Sequence, residues 1–203
     1  MLTRWDEWYA DDNLSRDERI LAAPASQCAR RAAKEFLRRG TRRILDLGCG
    51  VGRDSFHLGK EGLAPIGVDA SLNGLRAAYQ GNLARRARAE FVVADARCLP
   101  FESGSFEGVY CFGLLHEFTD ANKTEDVARV IAEVRRLLPD GGLFVLATLA
   151  GKPEDGLPAV QLFTRPMFEQ VMAGWKVLEI KSYADVGCTN RPDYLILSGK
   201  FEK

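Results

Sequence analysis

A short apolar run leads into three closely spaced glycines in the stretch Ile44-Leu45-Asp46-Leu47-Gly48-Cys49-Gly50-Val51-Gly52-Arg53. The residues that follow, 53–60, can form a helix that ends near Gly62, so the pattern predicts a strand, a tight turn and a helix. Glycine allows a sharp backbone bend and lets a ligand approach with no side chain in between. The stretch therefore predicts a binding site directly after the first strand.

Strands and helices continue to alternate downstream. Strands are predicted over 64–68 and 91–94, ending on Asp69 and Asp95, and Ser71 is placed to cap a helix that runs toward residue 86. Strands over 106–112 and 143–149 flank a helix with one apolar stripe, namely Val127, Val130, Ile131, Val134, Leu137 and Leu138. Two last strands, 175–183 and 194–198, are too close in sequence for a parallel crossover. The pattern predicts an α/β protein with a doubly wound, mostly parallel sheet, helices on both faces and an antiparallel end.

Composition excludes several classes of protein. A length of 203 residues suits one domain, and 28 basic against 28 acidic residues give zero formal net charge. No global field therefore steers the chain toward nucleic acid or anionic lipid. Locally, residues 28–43 hold seven bases and one acid, and five of these bases, Arg30, Arg31, Lys34, Arg38 and Arg39, lie on a predicted amphipathic helix closed by Gly40. This helix is either a solvated face or a surface that contacts RNA.

The cysteines and the apolar runs favour a cytoplasmic protein. Five cysteines, widely spaced and never in a Cys-x-x-Cys pair, argue against a disulfide framework and a zinc knuckle, and with two histidines we expect no metal site. The chain opens on Trp5-Asp6-Glu7-Trp8 without a secretory leader, and the longest strongly apolar run, 143–150, is far shorter than the ~20 residues that span a bilayer.

Three carboxylates follow predicted strands, where parallel sheets bind ligands: Asp46, Asp69 and Asp95. Asp69 lies 21 residues after Gly48, which matches the ~20-residue offset of an acid that accepts hydrogen bonds from ribose hydroxyls. Arg53 replaces the third glycine of the dinucleotide fingerprint, and no Gly-Lys-Ser/Thr occurs, so NAD and ATP fit poorly. Turn and acids together predict an adenosine ligand.

These motifs resemble those of class I S-adenosylmethionine-dependent methyltransferases. Residues 44–53 look like motif I, 68–71 like the ribose-binding acid motif, 94–96 like the adenine-contacting motif, and 137–142 like the turn before the fifth strand. The matches follow the family's order over residues 41–150. The resemblance implies S-adenosyl-L-methionine as cofactor and a Rossmann-like seven-stranded sheet with an antiparallel last strand. It also implies a single domain, in which residues 1–40 form a helical lid segment and residues 41–203 form the core.

The resemblance also assigns roles to residues. Gly48 and Gly50 line the methionine moiety and Asp46 helps to hold its amino group, unless Asp46 is a buried turn carboxylate satisfied by backbone donors. Asp69 binds the ribose hydroxyls. Asp95 accepts from the adenine amine, with the Ala96 backbone at the ring nitrogen, unless Asp95 only caps a turn. The other expected cofactor contacts are Cys49, Gly52, Arg53, Ala70, Phe112, Trp5 and Tyr9, of which the last two either form a lid or anchor a helix.

The function that the resemblance implies is methyl transfer to a small-molecule acceptor. His116, after the fourth strand, is the first candidate for a general base, which is needed only if the acceptor arrives protonated. Its alternative is a histidine satisfied by its own loop. Residues 5–9, 48–55, 174–179 and 185–187 are also similar to the tellurite-resistance and thiopurine methyltransferase group, whose members methylate small, soft S, Se or Te nucleophiles. The alternatives are a non-catalytic S-adenosylmethionine-binding module, an RNA methyltransferase and an NAD oxidoreductase.

Overall fold

A computed structural model of the protein describes residues 6, 7, 9, 23–85, 87–119, 123–151, 161–184 and 195–203. Seven strands form one sheet with the order β3-β2-β1-β4-β5-β7-β6. The strands are β1 (Arg43–Leu47), β2 (Ala64–Asp69), β3 (Glu90–Val93), β4 (Gly108–Phe112), β5 (Leu143–Ala150), β6 (Lys176–Tyr183) and β7 (Leu195–Glu202). Strands β1 to β5 pair in parallel, and β7 runs antiparallel to both β5 and β6. The predicted mostly parallel sheet with an antiparallel end is confirmed.

Helices cover both faces of this sheet, as predicted. The described helices are α1 (Gln27–Arg38), α2 (Arg53–Lys60), α3 (Leu72–Arg85), α4 (Lys123–Leu137) and α5 (Arg165–Val171), with a 3₁₀ turn at Leu115–Glu117. Successive strand residues point to opposite faces. Ile44 accordingly packs in the buried cluster of α1, and Leu45 packs in the cluster that contains α4. Within the described ranges, no helix has both the length and the apolar character needed to cross a bilayer.

Two strand boundaries differ from the sequence-based prediction by more than one residue. Strand β4 begins at Gly108 and not at Phe106, because the amide of Phe106 donates to the carbonyl of Leu137 at the end of α4. Strand β7 continues to Glu202, four residues beyond its predicted end, because it has a partner strand on each side. Both differences come from pairing with distant parts of the chain, which the local pattern does not contain.

A buried network fastens α1 beside the carboxyl ends of the parallel strands. Asp54 on α2 accepts hydrogen bonds from the Ser26 hydroxyl at 2.7 Å, the Ser26 amide at 3.0 Å and the Tyr110 hydroxyl of β4 at 2.7 Å. The Ser26 hydroxyl also accepts from the amide of Ala29 and so caps α1. Burial opposes the charge of Asp54, but Arg53 and these donors hold its pKa below the ordinary value. An ionised carboxylate thus joins two helices and a strand.

We expect Tyr110→Phe to lower the free energy of unfolding by about 2 kcal/mol, because a buried ionised carboxylate loses a donor. Urea unfolding followed by circular dichroism measures the change. Tyr79→Phe is the matched control, since Tyr79 is 59% exposed on α3, and its effect should stay within about 0.5 kcal/mol. Equal effects of the two substitutions would show that the Asp54 network does not stabilise the fold.

Candidate cofactor and acceptor site

The glycine turn after β1 lies at the centre of the carboxyl edge of the sheet. Gly48, Gly50 and Gly52 have φ angles of 77°, 53° and 81°, a left-handed conformation that other residues rarely adopt. The amides of Gly48 and Cys49 donate to the carbonyl of Val68 at 2.8 and 3.0 Å, which fixes the turn against the end of β2. At Gly48, Gly50 and Gly52 the turn therefore consists of backbone without a side chain.

Two of the predicted cofactor contacts, Cys49 and Gly52, contribute backbone and not a side chain to the carboxyl edge of the sheet. The thiol of Cys49 packs against Gly67 of β2, because a Cβ added to Gly67 would lie 2.8 Å from its sulfur. Burial raises the pKa of this thiol well above its ordinary value. A Cβ added to Gly52 would lie 2.9 Å from the ring of Phe91. Small residues are therefore needed at Gly52 and Gly67 so that β1, β2 and β3 can pack together.

Asp69, the last residue of β2, lies beside the turn. The amide of Gly50 donates to one of its carboxylate oxygens and the amide of Ser71 to the other, both at 2.9 Å. Burial raises the pKa of Asp69, and these backbone donors oppose the rise. Each carboxylate oxygen can accept a further hydrogen bond. Asp69 can therefore keep its turn in place and still bind two hydroxyls, with the half-buried Ala70 next to it.

Asp46 is buried in β1, two residues before Gly48, the first glycine of the turn. The Ser55 hydroxyl donates to its carboxylate at 2.5 Å, so its donor is a side chain and not the backbone group that the alternative interpretation expected. Burial raises the pKa of Asp46 to about 7, and the negative charge of Asp54 adds to the rise. A cation bound nearby would favour the ionised form. An ammonium group is a ligand of that kind.

Asp95 and Ala96 follow β3, next to the end of β2 that carries Asp69. The guanidinium of Arg97 lies 2.6 Å from Asp95 and 3.0 Å from Asp126 on α4. These hydrogen bonds from Arg97 hold the pKa of Asp95 below its ordinary value. The Asp95 side chain is still 46% exposed, so a ligand amine can reach it. Arg97 was not among the predicted site residues. A basic residue two positions after an acid in a turn can, however, be recognised in the sequence.

The described N-terminal residues bind to the start of α3. Asp6 is buried, and its carboxylate accepts from the Ser71 hydroxyl at 3.1 Å and from the Asn73 amide at 3.3 Å. The Asn73 side-chain amide donates to the Asp6 carbonyl at 2.9 Å. Asp6 was not among the predicted site residues, because nothing in the local sequence links it to residues more than sixty positions away.

Tyr9 is thereby placed over the glycine turn. A Cβ added to Gly50 would lie 2.6 Å from the Tyr9 hydroxyl, and one added to Gly74 would lie 3.0 Å from its ring. The ring thus bridges the turn after β1 and the start of α3, the two elements on either side of Asp69. Trp5, the other aromatic residue predicted to form a lid, lies outside the described residues.

Arg53 and Phe112 lie together on the other side of the turn. The guanidinium of Arg53 donates to Asp54 at 3.0 Å and sits 5.7 Å from the centre of the Phe112 ring. The Leu114 side chain covers Gly48, since a Cβ added there would lie 3.0 Å from it. The charge of Arg53 is thus balanced by Asp54, and an apolar wall closes the edge near β4.

His116 is buried behind this wall, with both ring nitrogens near protein groups. Its Nδ1 lies 3.2 Å from the Thr148 hydroxyl and accepts from the Leu149 amide at 3.4 Å, and its Nε2 lies 3.2 Å from Glu117. A Cβ added to Gly113 would lie 3.6 Å from the ring. A role for His116 as general base stays a prediction.

Comparisons with known proteins agree with this geometry. The model of the family described as "Methyltransferase domain" matches residues 44–142. An uncharacterized methyltransferase of Synechocystis is 34% identical over 138 residues, 67% of this chain and 60% of that protein. A demethylmenaquinone methyltransferase of Thermus thermophilus is 30% identical over 145 residues, 70% of this chain and 62% of that protein. A crystal structure of magnesium protoporphyrin IX methyltransferase from Synechocystis, with S-adenosylmethionine bound, has a TM-score of 0.64 at 17% identity, covering 87% of this chain and 79% of that one. The chain thus spans about 60% of the length of these two curated relatives.

The sheet, the glycine turn and the row of acids define a Rossmann-like protein with an adenosine site at the carboxyl edge. The match over residues 44–142 and these relatives support the class I S-adenosylmethionine-dependent methyltransferases as the family of this chain. These matches support the predicted family, enzyme class and cofactor. The narrower resemblance to the tellurite-resistance and thiopurine group stays a prediction.

The described residues fit S-adenosylmethionine. At Gly48 and Gly50 the turn has no side chain of its own, and the side chains of Leu114 and Tyr9 lie close to where a Cβ would stand. Asp69 has oxygen lone pairs for ribose hydroxyls, and Asp95 is exposed on the neighbouring strand end. Asp46 is buried with a pKa that a ligand ammonium would lower. These donors and acceptors follow the order β1, β2, β3 along the edge.

We expect the free energy of unfolding of the cofactor-free protein to fall as the pH rises from about 4 to about 7. Unfolded Asp46 loses its proton near its ordinary pKa of 3.8, whereas the folded residue keeps it until about 7, and the slope contributed is up to about 1.4 kcal/mol per pH unit. Asp46→Asn should remove this contribution and raise stability near pH 8, because the amide accepts from Ser55 without a buried charge.

Urea unfolding across this pH range measures the slope. Asp140→Asn is the control, since the Asp140 side chain is fully exposed and its slope should match that of the parent protein. A parent protein and an Asp46→Asn variant with the same slope would mean that Asp46 is ionised throughout the range.

Proposed function

We propose that the protein transfers a methyl group from S-adenosylmethionine to a small-molecule acceptor. The observation that carries this proposal is the contact between Asp69 and the Gly50 amide at 2.9 Å. It holds a ribose-binding acid against a turn whose backbone a ligand can approach. In this proposal residues 1–40 act as a lid segment and residues 41–203 as the catalytic core.

The cofactor, when bound, supplies a methyl group already activated by its sulfonium. The chain's own task is to hold donor and acceptor in line and to exclude water. In the proposal Asp69 accepts from the ribose hydroxyls, Asp95 and the Ala96 backbone bind the adenine, and Asp46 holds the amino group. The backbones of Gly48 and Gly50 line the methionine moiety.

The reactive end of the site would lie under the segment 112–114. Phe112 and Leu114 supply apolar surface there, which keeps water from the methyl group. If the acceptor arrives protonated, His116 is our candidate for the base, and the Glu117 carboxylate lies 3.2 Å from its Nε2. A sulfur, selenium or tellurium anion needs no such base.

The names of similar proteins favour a small acceptor. In this proposal the segments 1–40 and 150–166 contact it, and residues 152–160 of the second segment lie outside the described ranges. The names of two similar proteins contain small acceptors, demethylmenaquinone and magnesium protoporphyrin IX. The soft-nucleophile prediction adds thiols, selenite, tellurite and thiopurines to the compounds worth testing.

Methyl transfer from radiolabelled S-adenosylmethionine to a panel of a thiol, selenite, tellurite, a thiopurine and a hydroxyquinone tests the proposal. We expect turnover with one class of acceptor. Cofactor binding without turnover on any of them would favour the non-catalytic module. Tight NADH binding without S-adenosylmethionine binding would contradict the cofactor assignment.

We expect Asp69→Ala to weaken S-adenosylmethionine binding by about 1–3 kcal/mol, because the ribose hydroxyls lose a buried acceptor. Isothermal titration calorimetry measures the affinity, and circular dichroism checks that the fold is kept. Asp140→Ala, at a fully exposed aspartate, should leave the affinity unchanged. An Asp69→Ala protein with the parent's affinity would show that the ribose lies elsewhere.

Tyr9→Ala tests the lid. If Tyr9 closes over the cofactor, the substitution should weaken binding by about 1 kcal/mol, the scale of one aromatic contact, and mainly by faster release. Stopped-flow fluorescence measures the release rate. Tyr79→Ala, at an exposed tyrosine of α3, is the control. Tighter binding by the Tyr9→Ala protein would instead show that Tyr9 occupies the cofactor's place.

A further inference from the structure

The exposed face of α1 carries positive charges that the methyl-transfer site does not use. Toward the end of this helix, Arg38 pairs with Glu35 at 2.6 Å, and Arg39 pairs with Glu35 at 3.0 Å and with Glu202 at 2.9 Å. Within the described part of the chain, neither Arg30 nor Lys34 lies within ion-pair distance of a carboxylate. The helix thus has a neutralised end and an end with uncompensated charge.

These charges line a cavity of about 370 Å³ between α1 and the end of α2. Its lining consists of Gln27, Arg30, Arg31, Lys34, His57 and Glu61. Arg30 and Lys34 are four positions apart and so lie on one side of the helix. Three permanent cations face one carboxylate, that of Glu61. The cavity therefore has a net positive charge.

Arg31 is held in place by neighbours that leave its charge uncompensated. Its guanidinium donates to the Gln27 side-chain oxygen at 3.3 Å and lies 4.7 Å from the centre of the Tyr183 ring. Both partners are neutral, and a guanidinium has five N–H groups. Arg31 is therefore oriented in advance and can still bind an anion, at a smaller entropic cost than a free side chain.

His57 lines the cavity, and its side chain contains a buried polar atom. Among the described residues its Nε2 has no hydrogen-bond partner although it is buried, and its Nδ1 lies 3.8 Å from Glu61. A buried polar atom without a partner costs free energy, and a ligand can supply the missing partner. Burial lowers the pKa of His57, the charges of Arg30 and Lys60 lower it further, and Glu61 and Asp54 oppose them. A bound anion would raise this pKa and let Nε2 donate to it.

We propose that this cavity binds a phosphate-bearing anion through Arg30, Arg31 and Lys34, with His57 as a further donor. Guanidinium groups match the geometry of phosphate oxygens, and a lysine ammonium adds a point charge. The site lies on the outer side of α1 and α2 and is separate from the carboxyl edge that holds the cofactor. It anchors the phosphate of a phosphorylated small molecule or of an RNA backbone, and it does not take part in the methyl transfer itself.

Calorimetric titration of the full chain with inorganic phosphate and with pyrophosphate tests the site. We expect saturable binding of one equivalent of pyrophosphate, weakened at least about tenfold in the double variant Arg30→Gln/Lys34→Gln, which loses two charge-assisted contacts. The double variant Arg129→Gln/Arg165→Gln is the matched control. It removes the same net charge from exposed arginines that pair with Glu125 and Glu169, and it should bind like the parent protein.

A second titration distinguishes the two sources of phosphate. It uses a single-stranded RNA oligonucleotide, and fluorescence anisotropy measures the binding. Binding far tighter than that of pyrophosphate, with a steep salt dependence and lost in Arg30→Gln/Lys34→Gln, identifies a nucleic-acid backbone. An RNA affinity no greater than that of pyrophosphate identifies a small phosphorylated ligand. In both cases NMR should show the His57 pKa rising when pyrophosphate binds.

The proposal is overturned if pyrophosphate does not bind saturably, or if the two double variants lose affinity equally. It is also overturned if the His57 resonances do not respond to pyrophosphate. None of these measurements depends on methyl transfer, so their failure leaves the proposed function unaffected.

Discussion

The amide of Gly50 donates to the carboxylate of Asp69, and this one hydrogen bond joins the two parts of the site that the rest of the structure supports. It requires a left-handed backbone at Gly50, which glycine adopts without strain. It also requires that β1 and β2 be adjacent and parallel, so that both end at the same edge. The sheet order, the packing of α2 and the position of α3 all serve to keep these two residues in register.

Three aspartates near this edge show how environment divides similar side chains among different tasks. Asp54 has a neighbouring guanidinium and several donors, so it stays ionised and joins α1 to the core. Asp46 has one hydroxyl donor and deep burial, so its pKa rises to about 7. Asp69 lies between these two cases, with backbone donors that partly offset its burial. The site thus uses burial and hydrogen bonding, more than residue type, to set each charge.

Patterns that are local in the sequence were sufficient to predict much of the fold and part of the site. The apolar stripe on α4, the glycine turn and the acids after β1, β2 and β3 are visible because strand and helix periodicities act over a few residues. The cap of α3 by Ser71 was predicted in the same way, and the Gly74 amide does donate to its hydroxyl at 3.1 Å. The start of β4 and the length of β7 were not predictable, because they depend on pairing with residues far away in the chain.

The adenosine ligand and the positions of the three acids are therefore predicted by short-range spacing in the sequence, and the family and the cofactor by the resemblance of its motifs to a known family. The folded chain was needed to place Tyr9 over Gly50, to pair Arg97 with Asp126 and to bring His57 beside α1. It was also needed to show which of the basic residues on α1 are neutralised and which remain uncompensated. The physical reason is the same in each case, because charge balance and burial depend on neighbours in space, and those neighbours come from distant parts of the sequence.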